Sequence, residues 1–257
     1  MSRGKGQVAV ITGASNGIGA ASALALASEG FQVALGARSV DKLDEVAQAI
    51  AKETGVQPFV MTLDVRNEAD VKHFVAAVVE KYGRIDVLVN NAGLAKGVSN
   101  VIDEADTTNW DQMIDTNVKG LLLMTRESVP HMIKGGNGHV INLGSIAGHQ
   151  AYAGGAVYCA TKFAVRAITD SLRQELLGLP IRVTTVDPGM VNTGFSLVRL
   201  GDQEQADQVY AGMTPLTAED IADCVAFAAT RPKHVNIDTI IVKPTDQAGA
   251  GKVARRL

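Results

Sequence analysis

Tyr158 and Lys162 stand four residues apart in "AVYCATKFAV" (156–165), a stretch otherwise composed largely of small and apolar residues. Four residues is one helical turn, so the phenol and the ammonium project from the same face. A free tyrosine, with an ordinary pKa near ~10, exchanges protons poorly at neutral pH. A neighbouring ammonium favours the phenolate, and a drop of ~2–3 units needs about 3–4 kcal/mol of differential stabilisation. The spacing therefore predicts a tyrosine brought toward the working pH as a proton donor and acceptor. An incidental surface contact is the alternative. Ser145, in "INLGSIAG", lies 13 residues before Tyr158 and just past an expected mid-sheet strand. The carboxyl ends of such strands line a ligand crevice, which lets Ser145 face the tyrosine across it. The chemistry that suits this set is hydride transfer between an alcohol carbon and nicotinamide. The tyrosine would exchange the hydroxyl proton while the serine holds the substrate oxygen. Asn117 lies on an apolar stripe with Trp110, Met113, Ile114, Leu121 and Met124. Its buried amide must find partners, either a water linking Lys162 to solvent or ordinary core groups.

Something must position these groups, and the chain alternates short β-branched runs with longer amphipathic stretches. Strands are expected at 7–12, 31–36, 57–63, 86–90, 138–144, 181–187 and 238–242. Helices are expected at about 17–30, 41–54, 68–82, 107–133, 157–178 and 217–230. Near-continuous apolar strands separated by helices imply an α/β fold, a single doubly wound (Rossmann) parallel sheet of about seven strands with helices on both faces. The long connection 192–217 breaks the alternation and is expected to be a substrate lid or a mobile loop. After the first strand, "TGASNGIG" sets Gly13, Gly17 and Gly19 before a helix start, where glycines allow a tight turn and free N–H groups attract phosphate. The spacing differs from the best-known dinucleotide fingerprint, and any tight strand–helix turn favours glycine. The second strand ends at Ala37 and Arg38, where an NAD site usually places a carboxylate. Without the acid nothing repels a 2′-phosphate, and an arginine binds one as a fork, so NADP is the expected cofactor. A solvated arginine at a strand end is the alternative. Asp64 is placed either to accept from an adenine amino group or to cap the following helix.

The bulk numbers agree with a globular enzyme-sized domain. The chain has 257 residues, 46% of them hydrophobic and 20% charged, with a formal charge of −3. Neither nucleic acid nor a membrane surface is expected as a partner. The two cysteines, Cys159 and Cys224, form no disulfide framework and are expected as buried free thiols. No leader-like region precedes the first strand and no apolar run reaches membrane length, so a cytoplasmic protein is expected. No metal site is expected.

Taken together, "TGASNGIG", "NNAG" (90–93), Asn117, Ser145, "YCATK" (158–162) and "DPGMVNT" (187–193) resemble the short-chain dehydrogenase/reductase family, from about residue 7 to 247. The resemblance implies Tyr158 as catalytic acid/base, Ser145 as binder of the substrate oxygen, and Asn117 as part of a proton relay. It implies Lys162 as the partner that lowers the tyrosine's pKa and holds the nicotinamide ribose. Gly13, Ser15, Asn16, Gly17, Ile18 and Gly19 would cradle the cofactor, with Asn90, Ala92 and Gly93 lining it and Asp64 and Val65 at its adenine. Pro188, Gly189, Val191 and Thr193 would close over the nicotinamide carboxamide. Tetramers built from the two long helices are also implied. "INLGSIAGHQAYAGGAVYCATKFAV", "GFSLVR" and "KPTDQA" resemble the NADP-dependent 3-hydroxy acid dehydrogenase branch, which acts on serine, allo-threonine and 3-hydroxypropionate-type acids. Such substrates carry a carboxylate near the reacting hydroxyl, so Arg199, Gln150 and Tyr152 are expected as substrate contacts. The alternative for Arg199 is a surface pair with Asp202. A carbonyl reductase for neutral or 3-oxoacyl substrates and a non-catalytic NADP(H) sensor are the rival functions. The Gly/Ala-rich tail from about 246 is expected either to reach a neighbouring subunit or to be disordered.

Overall fold

The computed structural model describes residues 3–97 and 106–256. Residues 1–2 and Leu257, at the edges of the expected domain and tail, lie outside the described residues.

Seven parallel strands form one sheet in the order β3-β2-β1-β4-β5-β6-β7. They are β1 (Val8–Thr12), β2 (Gln32–Ala37), β3 (Phe59–Thr62), β4 (Val87–Asn90), β5 (Gly138–Leu143), β6 (Ile181–Pro188) and β7 (Thr239–Val242). The order reverses between β1 and β4, which opens a crevice at their carboxyl ends. Both faces are covered, as the unbroken apolar strands required. Ala9 and Ile11 join one core cluster and Val8 and Val10 the other, because successive side chains leave opposite faces. The first cluster meets α1 (Gly17–Ser28), α2 (Val40–Thr54) and α9 (Ala218–Ala229). The second meets α3 (Glu68–Tyr82), α5 (Leu121–Lys134) and α6 (Ala156–Glu175). Phe31 anchors one cluster and Phe74 the other, and both are fully buried. Each such side chain contributes about 1.5–3 kcal/mol relative to exposure.

Local chemistry sets the element ends. Asn67 caps α3 by accepting from Ala69 N and Asp70 N, and Gly83 ends it in the left-handed conformation. Thr217 and Asp220 form a reciprocal capping box on α9. The expected helix 107–133 is α4 (Thr107–Ile114) joined to α5 through a π-helical turn, Asp115–Gly120. Such widened turns are frequent at functional sites, and here it buries Thr116 and Asn117. The connection 192–217 contains α7 (Phe195–Leu200) and α8 (Gln203–Gln208).

The tail packs back on its own chain. β8 (Gln247–Gly249) and β9 (Lys252–Val253) pair antiparallel, Arg256 N donates to Gly212 O at 2.6 Å, and Asp246 Oδ2 accepts from Thr214 N at 2.9 Å. Of the two cysteines, Cys159 is buried and Cys224 only partly so.

Gly19 is where α1 comes closest to the end of β1. A Cβ there would lie 2.3 Å from Gly13 O and 2.5 Å from Asn91 Nδ2. Gly19→Ala is expected to lower unfolding stability by about 1–3 kcal/mol, measured by urea denaturation.

Candidate active site

The crevice at the carboxyl edge is a cavity of about 540 Å³. Its floor is the turn after β1, where Gly13 and Gly17 have φ of +64° and +52°. A Cβ on Gly13 would meet the Ala92 backbone at 2.9 Å, so only glycine lets these two loops approach. α1 begins there with no side-chain cap at Asn16 and no acid in its first turn. Its orphan N–H groups therefore face the cavity beside Ser15, Asn16, Gly17 and Ile18. This is a ready site for a phosphate.

One end of the cavity is cationic. Arg38 and Lys42 line it together with Ser39 and Arg66, while Ala37 carries no charge. Asp64 is also there, but Arg66 takes both its oxygens, Nε to Oδ1 at 2.9 Å and Nη2 to Oδ2 at 2.6 Å. This fork holds the Asp64 carboxyl below the usual range, and the cap of α3 is Asn67 rather than Asp64. Val65, Ala92 and Gly93 complete the wall, and Pro188, Gly189, Val191 and Thr193 face it from the β6 side. Uncapped N–H groups at one point and clustered cations at another fit a dinucleotide carrying an additional phosphate.

At the other end stand Ser145, Tyr158 and Lys162. Ser145 follows β5, its Oγ accepts from Ala147 N at 3.1 Å and donates to Pro188 O at 3.4 Å, and its hydroxyl lies beside that of Tyr158. The Lys162 stem runs along α6 to the end of β5, where Nζ donates to Leu143 O at 2.8 Å. From there the ammonium lies 5.8 Å from the centre of the Tyr158 ring. Phe195 covers that ring at a centroid distance of 5.7 Å.

Burial dominates the electrostatics of this pair in the protein alone. It pushes the Tyr158 phenol well above its ordinary value. The Ser145 hydroxyl is the largest opposing influence, and Arg199 adds a cation that helps. Burial pulls the Lys162 ammonium down to about 8.

Other expected residues fall in several places. Arg199, on α7, lines the cavity with its guanidinium 5.6 Å from the Tyr152 ring centre. Asp202 instead caps α8 through Gln205 N, and Arg199 has no ion-pair partner among the described residues. Tyr152 also lines the cavity. Gln150 does not, because its Oε1 accepts from Ala250 N at 2.9 Å and ties down the tail. Asn90 points away, donating to Thr125 Oγ1 and Asn142 Oδ1 in the helix–sheet layer. Gly19 serves packing rather than the cavity wall. The Asn117 amide is engaged by protein groups, Oδ1 with Leu94 N at 2.8 Å and Nδ2 with Leu94 O and Thr161 Oγ1. Its side chain fixes the loop after β4 against α6.

Sequence reasoning missed Lys42 and Arg66, although the basic residues around "ARSVDK" and "DVRN" were visible. It also missed Tyr210 and Gln247. Tyr210 donates to Val191 O at 2.7 Å, and Gln247 Oε1 accepts from Met190 N at 2.8 Å. Neither stands in a periodic pattern that would have marked it.

The profile described as short chain dehydrogenase matches residues 7–203. The chain belongs to that family. It is 41% identical, over 100% of its length and 99% of the relative's, to an NADP-dependent 3-hydroxy acid dehydrogenase of Schizosaccharomyces pombe. A protein of the same name from Salmonella typhi is 43% identical over 97% of this chain and 99% of its own. Among solved structures, the closed form of serine dehydrogenase complexed with NADP+ matches with a TM-score of 0.89 and 40% identity, covering 98% of this chain and 100% of that one.

Because burial dominates, the Tyr158 phenol of this short chain dehydrogenase is expected to stay protonated through the whole neutral range and to ionise only above the ordinary tyrosine value. Phenolate absorbance against pH, taken as the difference between the wild type and Tyr158→Phe without cofactor, measures this. A phenolate signal already present near neutrality would contradict it.

Proposed function

We propose that the protein is an NADP-dependent oxidoreductase that reversibly oxidises the 3-hydroxyl of small 3-hydroxy acids such as serine, allo-threonine or 3-hydroxypropionate-type acids. The observation that carries this reading is Arg199, a cation without an ion-pair partner among the described residues, in the cavity that also holds Ser145 and Tyr158. A carboxylate two carbons from the reacting hydroxyl needs such a group, and a bidentate guanidinium also fixes its orientation. The relatives named above support the same substrate class and cofactor. Arg38, Lys42 and Arg66 would hold the 2′-phosphate of NADP, and the start of α1 its pyrophosphate.

NADP, when bound, supplies the hydride donor or acceptor and, when oxidised, a positive ring. In this reading the chain's own residues hold the substrate and move its proton. The Ser145 hydroxyl binds the reacting oxygen, and Tyr158 gives or takes the proton. A half-buried neutral phenol suits donation to a forming alkoxide. Accepting a proton from an alcohol requires added positive charge nearby, which Lys162 provides from one side of the ring. Phe195 and Tyr152 exclude water from the same point. Asn117 acts by holding the loop of Gly93 and Leu94 in place, and a relay through this residue would use groups other than its engaged amide.

A homotetramer is the proposed assembly. Ile114, Leu122 and Phe163 are exposed apolar residues on α4, α5 and α6, a surface suited to a second copy. Among the described residues no helix is long and apolar enough to cross a membrane. With two free cysteines, a reducing cytoplasm is the proposed compartment.

A substrate panel of serine, 3-hydroxypropionate and uncharged alcohols of similar size, run with NADP and NAD side by side, tests the reading. Reduced nicotinamide is expected from the acids with NADP, and turnover confined to neutral alcohols would favour a carbonyl reductase instead. Arg199→Met is expected to raise KM for the acids about tenfold or more, the loss of one charged hydrogen bond. An unchanged KM would remove Arg199 from the substrate site.

A further inference from the structure

A buried carboxylate sits behind the catalytic lysine, and nothing in the reaction above uses it. Asp187 lies near the end of β6 and is 2% exposed. Its Oδ1 packs on Gly144, where a Cβ would come within 1.8 Å, so only glycine admits the carboxylate. Gly144 directly follows Leu143, whose carbonyl grips the Lys162 ammonium. The other oxygen, Oδ2, meets His149 Nε2 at 2.5 Å. His149 follows a 3-10 turn, Ile146–Gly148, which packs so tightly on α6 that a Cβ on Gly148 would lie 2.6 Å from Lys162 O. One glycine, one carbonyl and one turn thus set the carboxylate, the imidazole and the ammonium in a fixed cluster.

The charges facing the cluster are few. Asp187 feels His149 from the turn and Lys162 and Arg166 from α6, while β7 pairs Ile241 against it. Lys162 faces Tyr158 on its own helix, Asp187 from β6, and the Asn117 amide across Gly93. An isolated buried carboxylate would take up a proton rather than stay charged. Burial raises the Asp187 carboxyl above its ordinary value, the His149 hydrogen bond is the largest influence opposing that, and Asp187 in turn is the charge that counters the burial of Lys162.

We propose that Asp187 and His149 form a positioning pair that keeps a negative charge behind Lys162, so that the ammonium stays protonated and held against Tyr158. The consequence for turnover rests on the oxidoreductase reading, whereas the pair itself does not. Competitive acetylation of Lys162 against pH in the cofactor-free protein, followed by peptide mapping, measures its titration directly. Asp187→Asn is expected to lower the Lys162 midpoint by about one pH unit. His149→Ala should shift it the same way by less, and His149→Gln, which keeps a donor, should restore it. In steady-state assays the same two deleterious variants should lose kcat on the alkaline side with little change in KM for the acid. An unchanged midpoint in folded Asp187→Asn overturns the proposal. If that variant does not fold, equal midpoints for His149→Ala and His149→Gln overturn it. Because the titration needs neither cofactor nor substrate, a failed substrate panel would sink the functional reading and leave this pair standing.

Discussion

The ammonium of Lys162, pinned by the carbonyl that ends β5 and pressed toward one face of Tyr158, is the contact on which the site depends. A charge this buried is costly, and it persists only where a fixed acceptor and compensating charge meet it. β5 supplies the acceptor because parallel strands end together at one edge, and β6 supplies the charge through Asp187 one strand over. Moving either strand end by a residue would turn these groups to the other face of the sheet. The sheet register is therefore a catalytic parameter as well as a structural one.

The same edge explains how one cavity can serve two chemistries. At the switch point between β1 and β4 the chain offers uncapped helix N–H groups and a cluster of cations, both suited to phosphate. Farther along, past β5, the wall becomes aromatic around Tyr152, Tyr158 and Phe195. A polar anchor at one end and an aromatic-walled point at the other divide binding from chemistry. The segment 192–217 and the tail are joined by Asp246, which accepts from Thr214 N, and by Arg256 N, which donates to Gly212 O, so the substrate end is fastened by residues near the end of the chain.

Much of this was legible in the residues alone. Apolar strands such as "QVAVIT", the glycine turn and the Tyr158–Lys162 spacing lead directly to the sheet and to the cavity that the turn, Tyr158 and Lys162 line. Asn90 and Gln150 were misplaced because a polar residue near a strand end has several partners within reach, and only tertiary geometry selects Asn142 for one and Ala250 for the other. The burial of the tyrosine is illegible in the spacing for a related reason. Helical spacing fixes which face a side chain leaves from, but not where a four-carbon stem ends, nor how far Phe195 and its neighbours desolvate the phenol. Asp187 and His149 gave no signal because they lie 38 residues apart and meet only through the sheet.

The central claim is that the Tyr158 hydroxyl carries the substrate's proton. The most direct measurement is turnover of a 3-hydroxy acid by Tyr158→Phe, with NADP binding measured in parallel by fluorescence. The account predicts turnover reduced by about a hundredfold or more, the usual contribution of a positioned proton donor, with cofactor affinity preserved. Wild-type turnover in that variant would contradict it.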